Sequence, residues 1–205
     1  MSAGATVEGD DRLRLFCALR LPSEVIAALA SWQQSALGHA DVRILPADHL
    51  HITLAFLGNR PVSDVHAIAE AVRGAARAAR APLLRVHRYR QTSRVGMLAL
   101  REELAPGDAY VGRANELAGD LMLRLERLGV YERERRGWMP HVTVARFRAQ
   151  PELSPELPDV GQFSPSEVAL YSSVLRPTGS RYEVLEACSL GVPEACSIER
   201  EEPGG

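Results

Sequence analysis

Lysine is absent from the 205-residue chain, so all 24 of its basic residues are arginine. Every side-chain cationic contact outside histidine therefore falls to a planar guanidinium, the better partner for phosphate oxygens and stacked bases. Cysteine is scarce too: Cys17, Cys188 and Cys196 are odd in number and form no C-x-x-C pair, a pattern that fits a reducing cytoplasm. Cys17 and Cys188 lie in apolar, strand-like runs and read as small buried thiols. No run approaches the ~18 to 20 apolar residues that a membrane span needs. The opening "MSAGATVEGDDR" lacks the basic and apolar regions of a secretory signal. The expectation is a cytoplasmic monomer with no membrane partner.

What is present is ordinary soluble composition, with 46% hydrophobic and 24% charged residues, in a length that suits one sizeable core or two small lobes sharing a cleft. The net charge of −2 is unevenly spread. Glu8, Asp10 and Asp11 crowd the first eleven residues, and Glu194, Glu199, Glu201 and Glu202 crowd the tail against one Arg200. The body between is basic by about four charges, a weak pointer to an anionic ligand.

Residues 12–19 read as a strand, after which Pro22 and Ser23 open a helix to about Leu37. Val25, Ile26, Leu29 and Trp32 supply the helical spacing and Gly38 the stop. A second helix takes Ser63 as N-cap and runs to about Arg80. A third begins near Asp108, aligns Ala114, Leu117, Leu121, Leu125 and Leu128, and ends at Gly129. Strands are expected at "VRIL", "LHITLAFLG", "LLRVHRYR", "RVGMLALR" and "MPHVTVARFR", then at "EVALYSSVL" and "RYEVLEACSL" about the turn "RPTGS". Several are joined by hairpins, so the fold class is α+β with mostly antiparallel sheets. Residues 1–11 form a disordered lead, 12–191 a single domain and 192–205 a loose tail.

"HITLAFLG" begins at His51, and "HVTVARFR" begins ninety residues later at His141. Residues i and i+2 of a strand share a face, so His51, Thr53 and Ala55 point one way and Ile52, Leu54 and Phe56 the other. His141, Thr143 and Ala145 oppose Val142 and Val144 in the same way. Two copies of one polar pair on matching strands suggest a bilobal, pseudo-twofold layout with one motif per lobe. Facing each other, the strands offer two imidazoles for paired proton transfer and two hydroxyls for phosphoryl oxygens, an arrangement suited to a metal-independent phosphodiesterase. His49 and His51 form an H-x-H pair, yet no cysteine or carboxylate accompanies the second copy at ligand spacing. Neither a metal nor another cofactor is expected, and His49 reads as a flank of the motif.

"RLFCALRLP", "VRILPADHLHITLAFLG", "RRGWMPHVTVARFR" and "VALYSSVLRPTGSRYEVLEACSLG" together resemble the RNA 2′,3′-cyclic phosphodiesterases, the 2′-5′ RNA ligase-like branch of the two-histidine phosphoesterase superfamily. The resemblance extends over about residues 12–191. It implies a two-lobed α+β fold, with two sheets facing a central cleft and helices on their outer faces. It also implies hydrolysis of RNA 2′,3′-cyclic phosphate ends to 2′-phosphate, with a possible 2′-5′ ligation. By the same resemblance His141 acts as base on water, His51 protonates the leaving O3′, and Thr53 and Thr143 hold the phosphate. Arg146 either pairs with phosphate or lies on the base, unless it is a solvated strand-end arginine.

Strict alternation puts Phe56 in the core, but a twist or bulge before Gly58 would turn its ring to stack on a base. Arg85, Arg88, Arg90 and Arg94, interleaved with His87 and Tyr89, either extend a phosphate path or solvate an edge strand. Two rivals stand beside the RNA-end reading: a non-catalytic RNA-end or nucleotide-binding module, and a two-histidine phosphodiesterase for a small nucleotide, such as a cyclic ADP-ribose derivative, another small cyclic nucleotide or an NADP-like 2′-phosphate species.

Overall fold

The computed structural model describes residues 12–38, 42–103, 112–176, 179–191 and 196–197. In chain order the elements are β1 (Arg12–Arg20), α1 (Ser23–Leu37), β2 (Arg43–Ile44), β3 (His51–Pro61), α2 (Val65–Ala78), β4 (Leu84–Gln91), β5 (Val95–Glu102), α3 (Arg113–Arg127), β6 (His141–Arg146), β7 (Gln162–Phe163), β8 (Glu167–Arg176), β9 (Gly179–Ser189) and β10 (Cys196–Ser197). The class is α+β, and the strands form one antiparallel path, β10-β9-β8-β1-β3-β6-β5-β4-β7, with β2 added beside β6. Two facing sheets are expected from the sequence; the described residues instead make one continuous sheet, its strands β10 to β3 and β6 to β7 being called its two wings. The join is a single register pair, Ile52 opposite Val142, between the two motif strands.

Local chemistry sets the helix ends. α1 starts at Ser23 behind Pro22 and stops at Gly38, whose N–H bonds back to the Gln34 carbonyl. Val62–Asp64 make a 3-10 turn, so α2 starts at Val65 rather than directly after Ser63. The expected start of the third helix near Asp108 lies outside the described residues. Glu102 accepts hydrogen bonds from the Arg113 and Ala114 N–H groups at 2.8 and 2.9 Å, satisfying two donors that the first turn of α3 cannot use. The 1–11 lead also lies outside the described residues, and of 192–205 only Cys196 and Ser197 are described, paired with Cys188 and Ala187.

Hydrophobic alternation decides which face of the sheet is covered. Ile52, Leu54, Leu98, Val142 and Val144 are buried with Leu29 of α1, Ile68 and Val72 of α2, and Leu121 and Leu125 of α3. Each such side chain contributes about 1.5 to 3 kcal/mol when fully buried. A smaller cluster, Phe16, Ala18, Ala169, Tyr171 and Ala187 with Tyr182 and Val184, contains no helix residue and lies across β1, β8 and β9. One face is thus packed and the other left open, as antiparallel sheets permit. Cys17 is a free, fully buried thiol whose pKa burial pushes up to about 12. Cys188 is buried but disulfide-bonded, so the buried-thiol expectation holds for Cys17 and is corrected for Cys188. Among the described residues no helix is long and apolar enough to cross a membrane.

Candidate functional site

Both motif strands break strict alternation at the same place. In β3 the register against β1 runs Ala18–Thr53 and then Cys17–Ala55, leaving Leu54 as an extra residue. In β6 the register against β5 runs Met97–Thr143 and then Gly96–Ala145, leaving Val144 extra. A bulge of this kind turns the residues beyond it over to the other face. Ala55 and Ala145, expected beside the threonines, are instead buried in the core at 3% and 0% exposure. Phe56 and Arg146, each five places after its histidine, turn outward; Phe56 is 61% exposed. The expectation of a buried Phe56 from alternation fails for this reason; a bulge before Gly58 turns its ring outward, to the cavity wall.

The two bulges are held from outside their strands. Trp138 donates its indole N–H to the Thr53 carbonyl at 3.0 Å, tying the approach to the second motif onto the first. Gln33, buried in α1, donates its amide to the Val144 carbonyl at 2.6 Å and the Leu45 carbonyl at 3.2 Å. The Val144 carbonyl also accepts the Leu45 N–H at 3.0 Å.

On the open face lies a cavity of about 570 Å³, lined by His51, Thr53 and Phe56 of the first motif and Thr143 and Arg146 of the second. Its wall also carries Arg14, Arg43, His49, Phe16 and Tyr182 and, among the described residues, no carboxylate. His141 is not among its lining side chains. It shares the strand face of Thr143, and its charge acts on His51. The His141 Nδ1–H donates to the Met139 carbonyl at 2.9 Å, leaving Nε2 as the acceptor nitrogen in the neutral ring. The His51 Nε2 lies 3.1 Å from the Thr53 hydroxyl, and the ring also bonds to the His49 backbone.

Burial lowers the pKa of His51 from 6.5 to about 4, with lesser contributions from the positive charge of His49 and His141; the bond to the His49 backbone works the other way. The burial is aromatic. Phe16 stacks on His51 with ring centroids 5.0 Å apart, and Tyr171 stacks on Phe16 at 4.8 Å and 5°. His49 stacks on Tyr182 at 4.2 Å, and burial lowers its pKa as well. Among the described residues no group of three His, Cys, Asp or Glu side chains is placed to hold a metal ion.

Sequence reasoning missed Phe16, Tyr171 and Tyr182. The signal exists only in register: Phe16 is the direct cross-strand partner of both Phe56 and Tyr171. Arg14 and Arg43 were missed for the same reason, since Arg43 reaches the cavity by pairing opposite Arg146.

The sheet thus brings His51 and Thr53 of one motif strand and Thr143 and Arg146 of the other to one cation-lined cavity. The family described as LigT like Phosphoesterase matches residues 19–97, which contain the first motif. An RNA 2′,3′-cyclic phosphodiesterase of Thermus thermophilus is 32% identical over 199 residues, 87% of this chain and 90% of that one. The crystal structure of a Thermus thermophilus protein superposes with a TM-score of 0.73 at 28% identity, covering 89% of this chain and all of the other. Escherichia coli LigT complexed with NADP+ gives 0.70 at 26% identity, with 89% and 100% covered. The chain belongs to the LigT-like phosphoesterase family.

Proposed function

We propose that this protein hydrolyses RNA 2′,3′-cyclic phosphate ends to 2′-phosphate ends by paired-histidine acid–base catalysis. The observation that carries the reading is the matched pair of bulged strands, which turns two threonines, an aromatic ring and an arginine into one cavity whose described wall holds no carboxylate. A phosphodiester anion is the ligand such a wall accepts. Relatives that span most of the chain carry the same activity in their names.

In the proposed step, water attacks phosphorus, the P–O3′ bond breaks, and two protons move. His141 takes one from water through Nε2, the nitrogen its bond to Met139 leaves free. His51 gives the other to O3′. Thr53 and Thr143 bind the non-bridging oxygens, where charge collects. Arg146 pairs with phosphate, and Phe56 stacks on the base by a π-face that all bases share. Burial keeps His51 neutral near pH 7, so its role as donor requires a bound phosphate anion to raise its proton affinity. Ligation to a 2′-5′ link is the same displacement with an RNA 5′-hydroxyl in place of water: the O5′–P bond forms, the P–O3′ bond breaks, His141 takes the proton from O5′ and His51 gives one to O3′. The two wings of the sheet act as lobes about the cleft, and the cytoplasmic setting rests on the sequence alone.

The test uses purified protein in EDTA on a short RNA ending in a 2′,3′-cyclic phosphate, with the product isomer read by phosphorus NMR. A 2′-phosphate is expected. A predominant 3′-phosphate would reverse the ribose and sink the histidine roles, and binding without turnover would favour a non-catalytic module.

A further inference from the structure

Of the four arginines in β4 and its turn, Arg85 and Arg94 are already engaged. Arg85 pairs with Glu103 at 3.1 Å, and the same carboxylate holds Arg101 at 3.0 Å. Arg94 donates to the Arg148 carbonyl at 2.9 Å. Arg88 and Arg90 remain exposed, and neither has a carboxylate partner among the described residues. Arg90 touches Met139 Sδ at 3.4 Å, and it is the Met139 carbonyl that orients His141.

Register fixes which face these two occupy. Arg88 is opposite Ala99, and Ala99 is opposite His141; Arg90 is opposite Met97, and Met97 is opposite Thr143. Directly opposed residues of antiparallel strands project to the same face. Arg88 and Arg90 therefore stand on the open face in line with the second motif. Two strand spacings separate them from it, on the order of 10 Å. On β5 between them stand the small, buried Ala99 and the half-buried Met97, with Met139 beside Arg90. Tyr89 turns the other way and packs against the core.

We infer that the β6-β5-β4 face is a track for single-stranded RNA, on which Arg90 and Arg88 bind the phosphates immediately 5′ of the reacting end. The inference rests on the RNA-end reading above and narrows it: the substrate is a strand, and a cyclic mononucleotide fills only the cavity. The spacing suits this, because a strand whose terminal phosphate sits between Thr53 and Thr143 carries its next phosphates within reach of two long guanidinium side chains. An edge strand kept soluble by its arginines would require no such alignment with the motif rows.

The experiment compares the wild-type chain with the double variant Arg88→Gln, Arg90→Gln, and with Arg85→Gln as a neighbouring control. Substrates are a 2′,3′-cyclic mononucleotide and a short single-stranded RNA with the same end. For the double variant, kcat/KM on RNA should fall roughly tenfold at low salt, and the slope of log kcat/KM against log salt should flatten by roughly 1.4, about 0.7 for each phosphate no longer neutralised. The mononucleotide rate and the Tm should not change, and Arg85→Gln should have a smaller effect. Equal changes on both substrates, or no change on RNA, would overturn the track. If the wild type turns over neither substrate, the proposed function has failed, and anisotropy with RNA ending in a 2′-phosphate decides separately; equal affinity for wild type and double variant then refutes the track.

Discussion

At the scale of the residue, His51 carries the energetic cost of the site. Its ring is drawn into an aromatic stack and its pKa is lowered to about 4, mainly by burial. The unfolded chain has an ordinary imidazole of ~6.5. Between these values the unfolded state binds more protons than the folded one, so stability is full above about 6.5 and falls as pH drops toward 4. The loss amounts to about 3 kcal/mol at most. His51→Gln should flatten that part of a stability-versus-pH curve measured by denaturant titration; an unchanged slope would place the acid sensitivity elsewhere. In catalysis, His51→Ala and His141→Ala should each lower kcat by roughly two to four orders of magnitude, the range of general acid–base groups. Affinity for a 2′-phosphate product should be reduced far less, and near-wild-type turnover in either variant would remove the paired mechanism.

At the scale of the element, what distinguishes this site is a bulge used twice. A bulge leaves carbonyls out of the ladder, and here Trp138 and Gln33 satisfy them from other parts of the chain. Gln33→Leu keeps much of the side-chain volume but removes the amide donor from the Leu45 carbonyl and leaves the Val144 carbonyl with only the Leu45 N–H among the described hydrogen bonds. It should cost about 1 to 3 kcal/mol by chemical denaturation. If the bulge positions Thr143 and Arg146, the variant should also lose kcat at temperatures where it remains folded, while Arg85→Gln, at an exposed position of β4, should not. A stability loss with kcat intact would make Gln33 a structural residue only. The bulges also mark where sequence reading stopped. Alternation places His51, Thr53, His141 and Thr143 on one face without error, because period two holds over three residues. It fails beyond them, because an inserted residue in a ladder depends on the partner strand's register, and nothing in "TLAF" or "TVAR" alone records it.

At the scale of the whole molecule, the sheet makes one packed side and one open side, and the open side divides by chemistry. Across β1, β8 and β9 it is aromatic and alanine-rich, whereas on the other side Arg146 of β6 and Arg88 and Arg90 of β4 flank Ala99 and Met97 of β5. The motif strands meet at the seam, through Ile52 and Val142. The sequence by itself determined the strands, the three helices within a few residues where they are described, and the two histidine–threonine pairs, because periodicity and capping are local properties of the chain. Only the tertiary structure decided that Phe56 and Arg146 face the cavity, that Phe16 stacks on His51, and that Arg88 and Arg90 share the motif face while Arg85 is neutralised. Each of these depends on which residue stands opposite which across strands far apart in sequence, and that register is set by packing the whole sheet against its helices.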